Sequence, residues 1–140
     1  MDPVQIIGAV VAWAITIPLA LGFFKAGKFK ATASRETLIG AGFGWVTKLP
    51  FGVVRLIAWL ELLGVAGIVL APLASELLGF GWAQPWGVAA AAGLALTMVV
   101  AFIMHAARGE LKYTAKNNIA LFAMAAAVAV LLALFGGPLF

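Results

Sequence analysis

The sequence predicts an all-α integral membrane protein, a single domain over residues 1–140 built as a bundle of four transmembrane helices. Hydrophobic residues make up 65% of the 140 residues and charged residues only 10%, and the mean hydropathy is +1.14. A soluble domain of this length has too little interior to bury so much apolar surface. Four apolar runs divide the chain, and none alternates in the way that a barrel strand does, so we expect helices.

The four runs cover residues 4–24, 51–71, 86–107 and 119–135. The first three hold about the 20 residues that a helix needs to cross a hydrocarbon core of about 30 Å, and the fourth is slightly shorter. No basic region precedes the first run and no cleavage pattern of small residues follows it, so we expect it to remain in the mature protein. Asn117 or Asn118 is expected to cap the fourth helix.

All nine basic residues lie in or beside two of the connections. They are Lys25, Lys28, Lys30, Arg35, Lys48, Arg55, Arg108, Lys112 and Lys116. The positive-inside rule therefore predicts cytoplasmic basic loops and outward-facing termini, in what we expect to be a bacterial inner membrane. This topology explains the net charge of +4 without a nucleic-acid partner. With no cysteine and one histidine, we expect neither a disulfide nor a metal site.

The first basic connection has a structural signal of its own. A capping residue, Ser34, precedes apolar and aromatic side chains that include Leu38 and Trp45, interspersed with glycines. This pattern predicts a short interfacial or re-entrant segment that covers the cytoplasmic mouth of the bundle.

Glu61 stands out because it interrupts the second apolar run. It lies ten residues past Phe51, so its depth is about 15 Å, close to the bilayer midplane. An intramembrane carboxylate costs about 2.5 kcal/mol or more unless it is paired, protonated or facing water. Ala58, Gly64 and Gly67 share its side of the helix and allow close helix packing, so Glu61 should face the bundle interior. A ligand or proton site and a structural hydrogen bond both remain open.

His105 ends a comparable stripe in the third run. Gly93, Thr97 and Ala101 precede it at spacings of four residues, a pattern that predicts a helix-packing face. The histidine lies about 5 Å below the cytoplasmic rim, well above Glu61. A direct hydrogen bond between the two would need a shifted helix boundary or a bridging ligand or water. A simple interfacial histidine is the alternative.

A ring of cations is expected at the cytoplasmic mouth. Arg55 lies at the level of His105, about 120° around its helix from Glu61. Together with Lys25 and Lys28 these side chains would suit an amphiphile that has a polar head at the rim and an apolar tail between helices. Snorkelling of Arg55 to lipid headgroups is the competing interpretation.

The ordered motifs resemble those of a known family. FFKAGKFKA after the first run, RLIAWLELLGVAGIVLAPL in the second and TMVVAFIMHAARGE in the third are together similar to the DoxX-like family of four-helix membrane proteins. The resemblance covers about residues 23–108. Its motif positions here are Gly27, Lys28, Glu61, Gly64, Gly67, Ala101 and His105. Ala58 departs from the family pattern, which often has glycine at that position.

The resemblance implies a fold more than a reaction. The family name derives from a thiosulfate:quinone oxidoreductase subunit, which implies a quinone as ligand and a membrane redox partner. We therefore expect a quinone-like or lipid-like amphiphile, bound non-covalently by Glu61, His105, Lys28, Arg55 and Lys25. Autonomous catalysis is not expected, because one chain has no resident electron carrier. A proton-coupled transporter using Glu61, a structural assembly factor, and a homodimer joined by small-residue faces remain alternatives.

Overall fold

The computed structural model describes residues 2–140, which contain helices and no strand. The α-helices are α1 (Pro3–Thr32), α2 (Arg35–Gly40), α3 (Phe51–Leu78), α4 (Gln84–Ala107) and α5 (Leu111–Phe135), with 3₁₀ turns at Gly44–Lys48 and Gly81–Ala83. The helices α1, α3, α4 and α5 are each long and apolar enough to cross a membrane. The predicted all-α fold with four spanning helices is confirmed.

The four long helices form a ring. Helices α1 and α4 lie at opposite corners, and each packs against both α3 and α5. Consecutive long helices run antiparallel, so both termini lie at one end, where Gln5 Nε2 donates to the carbonyl oxygens of Gly137 at 3.1 Å and Pro138 at 3.0 Å. We call this the terminal end. The opposite half carries all nine lysines and arginines and is called the basic end.

The helices extend beyond the apolar runs. Helix α1 continues to Thr32, so Lys25, Lys28 and Lys30 belong to its last turns and not to a loop. Helix α3 continues to Leu78 and includes Glu76, which hydropathy places in a connection. Hydropathy detects only the apolar part of a helix, whereas a helix ends where its backbone is capped, as at Gly79 with its left-handed φ of 73°.

The terminal half of the bundle is closely packed. Its core includes Leu19 of α1, Ile68 of α3 and Leu94 of α4. A Cβ added to Gly64 would lie 2.6 Å from Leu94 Cδ2, and one added to Gly67 would lie 2.5 Å from Ala90 Cβ. These glycines therefore bring α3 and α4 into close contact.

A further small-residue contact joins α1 to α3. A Cβ on Gly27 would lie 3.1 Å from Leu62 Cδ2 and 3.4 Å from the carbonyl oxygen of Ala58. Ala58 itself is fully buried. The close approach of the two helices here places the end of α1 beside the first half of α3.

Polar side chains tie the helix ends together at the terminal end. Trp13 Nε1 donates to Glu76 Oε2 at 2.8 Å, and Ser75 Oγ donates to the carbonyl oxygen of Gly136 at 2.7 Å. Gln84 Nε2 donates to the carbonyl oxygen of Leu132 at 2.9 Å. Gly136 lies just beyond α5, and the Leu132 carbonyl also accepts from the Gly136 amide, so the last two bonds tie the C-terminal end of α5 to α3 and to the start of α4.

The segment of residues 34–49 covers the basic end. Ser34 caps α2 by accepting a hydrogen bond from the Thr37 amide at 3.1 Å. Leu38 and Val46 are fully buried against Val54 of α3. The short element predicted between the first two spanning helices is therefore present, and we call it the cover segment.

Replacement of Trp13 by phenylalanine tests the bond to Glu76. The Trp13→Phe variant keeps an aromatic ring but leaves the buried carboxyl group without its donor, which typically costs about 1–3 kcal/mol. We expect a lower melting temperature in detergent than for the matched Trp59→Phe variant, whose indole is exposed on α3. Equal melting temperatures for the two variants would contradict a stabilising role for this bond.

Candidate functional site

An ion pair joins α1 to α3 inside the basic half of the bundle. Lys30 Nζ donates to Glu61 Oε1 at 2.7 Å and lies 2.6 Å from Oε2. The side chains of Lys30 and Glu61 are only 8% and 3% exposed. Removing two charges from water is costly, and mutual attraction with good geometry offsets that cost. Glu61 thus reaches its interior position with a partner from α1.

Arg55 fixes the chain that carries Lys30. Its Nη1 donates to the Lys30 carbonyl oxygen at 2.7 Å, and its guanidinium carbon lies 4.3 Å from the centre of the Phe51 ring. The acceptor is one of the last carbonyls of α1, which have no partner within the helix, and a cation is favourable at this helix end. Arg55 therefore supports the ion pair from outside the cavity described below.

His105 belongs to a second polar cluster, in the turn between α4 and α5. Its Nδ1 lies 2.7 Å from Glu110 Oε2, and Arg108 Nε donates to Glu110 Oε1 at 2.7 Å. The two hydrogen bonds hold the pKa of Glu110 below its usual range. The bond from His105 has the larger effect, and the bond from Arg108 has the next largest. An ionised carboxylate only accepts hydrogen bonds, so Nδ1 of His105 carries the proton of this contact.

A cavity of about 440 Å³ lies between the four long helices in the basic half. The cover segment contributes Phe43 and Trp45 to its wall, and Phe23 and Leu121 add apolar surface from α1 and α5. Its polar lining residues are Lys30, Glu61, Thr97, His105, Asn117 and Asn118. The cavity is therefore largely apolar and has a small set of polar groups, as is typical of small-molecule sites.

The stripe that ends at His105 faces this cavity. Gly93, Thr97 and Ala101 line it, and a Cβ added to Gly93 would meet no atom within 4 Å. Thr97 Oγ1 donates to the Gly93 carbonyl oxygen at 2.9 Å. Ala101 is also half-buried against the apolar core of the bundle, so the stripe borders the cavity and contacts neighbouring side chains as well. Periodicity alone does not show which residues of such a stripe border open space.

The cavity opens sideways between α3 and α4. Leu60 of α3 and Leu96 of α4 both line it, yet they are 55% and 64% exposed. In a helix of a membrane-spanning bundle, such exposed leucines face lipid. A molecule dissolved in the membrane can therefore enter between these two helices without crossing water.

Asn118 supplies an unused donor at this cavity. It is 6% exposed, and its Nδ2 has no hydrogen-bond partner within residues 2–140. Glu61 Oε2 lies 2.6 Å from Lys30 Nζ and is therefore part of the ion pair. Buried polar atoms are nearly always satisfied, so Asn118 Nδ2 is unusual among the polar atoms at this cavity.

The structure brings together only some of the residues predicted for the site. Glu61 and His105 line one cavity but bond to different partners, Lys30 and Glu110. Lys25 and Lys28 are exposed on the outer side of α1, in a shallow depression beside Phe24. The expected cationic ring around the mouth is not formed, because α1 is still helical at these lysines and directs them away from the cavity.

Three residues of the site were not among the predicted ones. Hydropathy places Lys30 in a loop, the start of the fourth apolar run predicts Asn118 as a helix cap, and no sequence pattern singles out Glu110. Lys30 had a readable signal, because it continues at helical spacing the stripe of Thr16, Leu19, Phe23 and Gly27, which are the other buried residues of the second half of α1. The sequence contains no such signal for Asn118 or Glu110, because their roles depend on how α5 and the turn before it pack.

Comparison with protein families now identifies the chain's relatives. A family model described as DoxX-like family matches residues 14–130. The chain belongs to the DoxX-like family. Comparison with curated proteins and with solved structures gives no significant match. The matched region runs from α1 into α5, so it contains every polar residue of the cavity of this DoxX-like protein.

The polar groups that line the cavity of the DoxX-like bundle form a set of hydrogen-bond donors and acceptors. Within residues 2–140 no group of three or more His, Cys, Asp and Glu side chains is placed to hold a metal ion. The cavity side chains instead offer hydrogen-bond donors from Asn118 and Lys30 and acceptor atoms on Glu61 and His105. Such a set recognises oxygen-containing head groups.

Loss of one charge of the ion pair is expected to destabilise the bundle strongly. In Glu61→Gln the ammonium of Lys30 stays buried without its counterion, which typically costs about 3–5 kcal/mol. The double variant Lys30→Met with Glu61→Leu removes both charges and should recover much of the stability. The measurement is thermal unfolding in a mild detergent. A fully stable Glu61→Gln protein would contradict the assigned pairing and would favour a simple hydrogen-bonding glutamate.

The turn cluster is expected to make stability depend on pH. Because the folded pKa of Glu110 is lowered from 4.5, its ionised form stabilises the fold above that value. This contribution is lost as the pH falls through the lowered pKa. We expect the melting temperature of Glu110→Gln to lie below that of the wild type above about pH 4.5, with the difference shrinking in acid. Glu36→Gln, at an exposed carboxylate of α2, controls for the loss of one charge. A difference that is constant with pH would contradict the assignment.

Proposed function

We propose that this DoxX-like protein binds a membrane-soluble amphiphile, quinone-like or lipid-like, in the cavity of its basic half. The observation that supports this most directly is the cavity itself, which runs from the buried Lys30 and Glu61 pair to the exposed Leu60 and Leu96. One cavity therefore offers polar contacts at its inner end and lipid contact at its opening. An amphiphile has the same two parts.

The head group would lie among the polar lining residues. Lys30, Glu61, His105 and Asn118 come from all four long helices, so a bound head would contact the whole ring. The unpaired Asn118 Nδ2 is a donor for a carbonyl or hydroxyl oxygen, and Glu61 Oε2 is an acceptor. Quinones and neutral lipids both present such oxygens.

The tail would leave between α3 and α4. Gly93 leaves open space at this side, and Leu60 and Leu96 form the edges of the opening. The cover segment, with Phe43 and Trp45, closes the cavity toward the basic end. Entry from the membrane is therefore more direct than entry from water.

A quinone-like occupant would place the protein beside a membrane redox partner. The lining side chains are an acid, a histidine, amides, a lysine and hydrocarbons, which bind, orient and exchange protons. Electron transfer would belong to the partner, and this chain would serve as its accessory subunit. The basic end, which we assign to the cytoplasmic side, is the face nearest to the bound head.

A cavity-filling variant tests the proposal without removing a polar group. Gly93→Phe inserts a ring where a Cβ meets open space, whereas Ala92→Phe adds the same ring to a neighbouring exposed position outside the lining. Native mass spectrometry on protein purified in mild detergent, with extraction of lipids and quinones, compares their contents. We expect an amphiphile in the wild type and in Ala92→Phe that is depleted at least about tenfold in Gly93→Phe, since its volume is occupied.

Identical bulk lipid in all three proteins would overturn the binding proposal. The polar residues would then serve helix assembly, and the ion pair alone would account for Glu61. Normal melting of Gly93→Phe is the accompanying control, because it shows that loss of the amphiphile does not result from unfolding.

A further inference from the structure

We infer that the head group accepted by the cavity is electrically neutral and carries a hydroxyl, which donates its hydrogen bond to Nε2 of His105. This inference rests on the proposed function and specifies the chemical class of the ligand. It assigns His105 as the acceptor that selects the ligand and Glu110 as the positioning residue that prepares it.

The turn cluster determines which histidine nitrogen a ligand meets. Glu110 accepts from His105 Nδ1 at 2.7 Å and is held by Arg108 Nε, also at 2.7 Å. Glu110 does not line the cavity, whereas His105 does. The nitrogen left for a ligand is therefore Nε2. On a neutral imidazole whose Nδ1 carries the proton, Nε2 presents a lone pair and accepts a hydrogen bond.

The carboxylate also fixes this acceptor in place. A histidine that donates one ring N–H to a carboxylate is held in one orientation and one tautomer. A hydroxyl is the uncharged group that a buried imidazole nitrogen binds well. A ketone or an ether has no hydrogen to donate and leaves Nε2 unsatisfied, which costs affinity.

The charges at the cavity favour a neutral head. Lys30 is compensated by Glu61, and these are the only lining lysine, arginine, aspartate or glutamate residues in the part of the chain described. Arg108 is held by Glu110, and Arg55 lies outside the lining. An anionic head would enter without a free cation to compensate it, and a buried uncompensated charge is costly. This argues against a phosphate or carboxylate head.

Asn118 completes the arrangement. Residue 118 lies nine positions after Gly109 and so falls opposite residue 100 in the α4 and α5 hairpin, about 7 Å further along the helices than His105. Its unpaired Nδ2 supplies a donor for an oxygen of the head, while His105 accepts the hydroxyl. A head that bonds to both residues therefore needs a second oxygen besides the hydroxyl that donates to His105.

Three probes of one shape test the inference. They are 4-decylphenol, 4-decylanisole and 4-decylbenzoate, which carry a hydroxyl, a methyl ether and a carboxylate on the same ring and tail. Saturable binding is measured in phosphatidylcholine nanodiscs, with Gly93→Phe nanodiscs as the correction for partition into lipid. We expect the phenol to bind about tenfold more tightly than the anisole, because the anisole lacks the hydroxyl and a buried hydrogen bond that is not made typically costs about that much affinity. We expect the benzoate to bind more weakly than the phenol.

The chain's single histidine allows a direct second readout. In protein labelled with ¹⁵N-histidine, we expect the imidazole resonances of the Nδ1-protonated tautomer, and we expect the Nε2 resonance to move on addition of the phenol but not of the anisole. In Glu110→Ala we expect the preference for phenol over anisole to fall to near parity while anisole binding is retained. Retained anisole binding shows that the variant is folded, so this readout separates positioning from stability.

The outcomes distinguish the two proposals. Equal binding of phenol and anisole, or an Nε2-protonated tautomer, overturns the hydroxyl assignment and leaves amphiphile binding intact. Tighter binding of benzoate overturns the neutral head. Absence of saturable binding for all three probes relative to Gly93→Phe overturns both the inference and the proposed function.

Discussion

The ion pair between Lys30 and Glu61 is the constraint on which the basic half depends. A carboxylate in the middle of an apolar helix needs a compensating charge, and the structure supplies it from α1. For Lys30 to reach Glu61, α1 has to remain helical to Thr32, well past its apolar run. Arg55 then donates a hydrogen bond to the carbonyl oxygen of Lys30. The pair thereby accounts for the burial of Lys30 near the end of α1 and for the charge balance of the cavity.

Glycine has opposite effects on the facing helices α3 and α4, where it allows close contact at some positions and leaves open space at another. Gly64 and Gly67 have neighbours so close that a Cβ would collide with α4, whereas Gly93 opens onto empty space. Gly93 adjoins Leu94, which contacts Gly64, so the open space at Gly93 comes from the side of α4 on which it lies. The ion pair holds α3 to α1 on one side of the cavity, and the hairpin of α4 and α5 forms its other side. The cavity is therefore bounded by the ion pair and the hairpin together.

The fold was predictable from sequence because hydropathy and helix length determine it almost alone. The position of Glu61 inside the bundle followed from the small residues beside it. The partner of Glu61 did not follow from the sequence, because Lys30 lies among other lysines. Only its helical spacing from Gly27 distinguishes it from the exposed Lys28. The role of Glu110 was not predictable at all, since it depends on a turn in which Gly109 has a φ of 69°. Hydropathy locates the helices but does not determine their cappings and pairings.

A cavity whose charges compensate one another selects its ligand by hydrogen bonds and shape. Lys30 and Glu61 lie within 3 Å of each other, so their charges largely cancel and the field at the opening is weak. Lys25 and Lys28 are exposed on the outer side of α1 and do not line the cavity. In the proposed complex, affinity would come from the apolar walls, and discrimination from Asn118 Nδ2 and His105 Nε2.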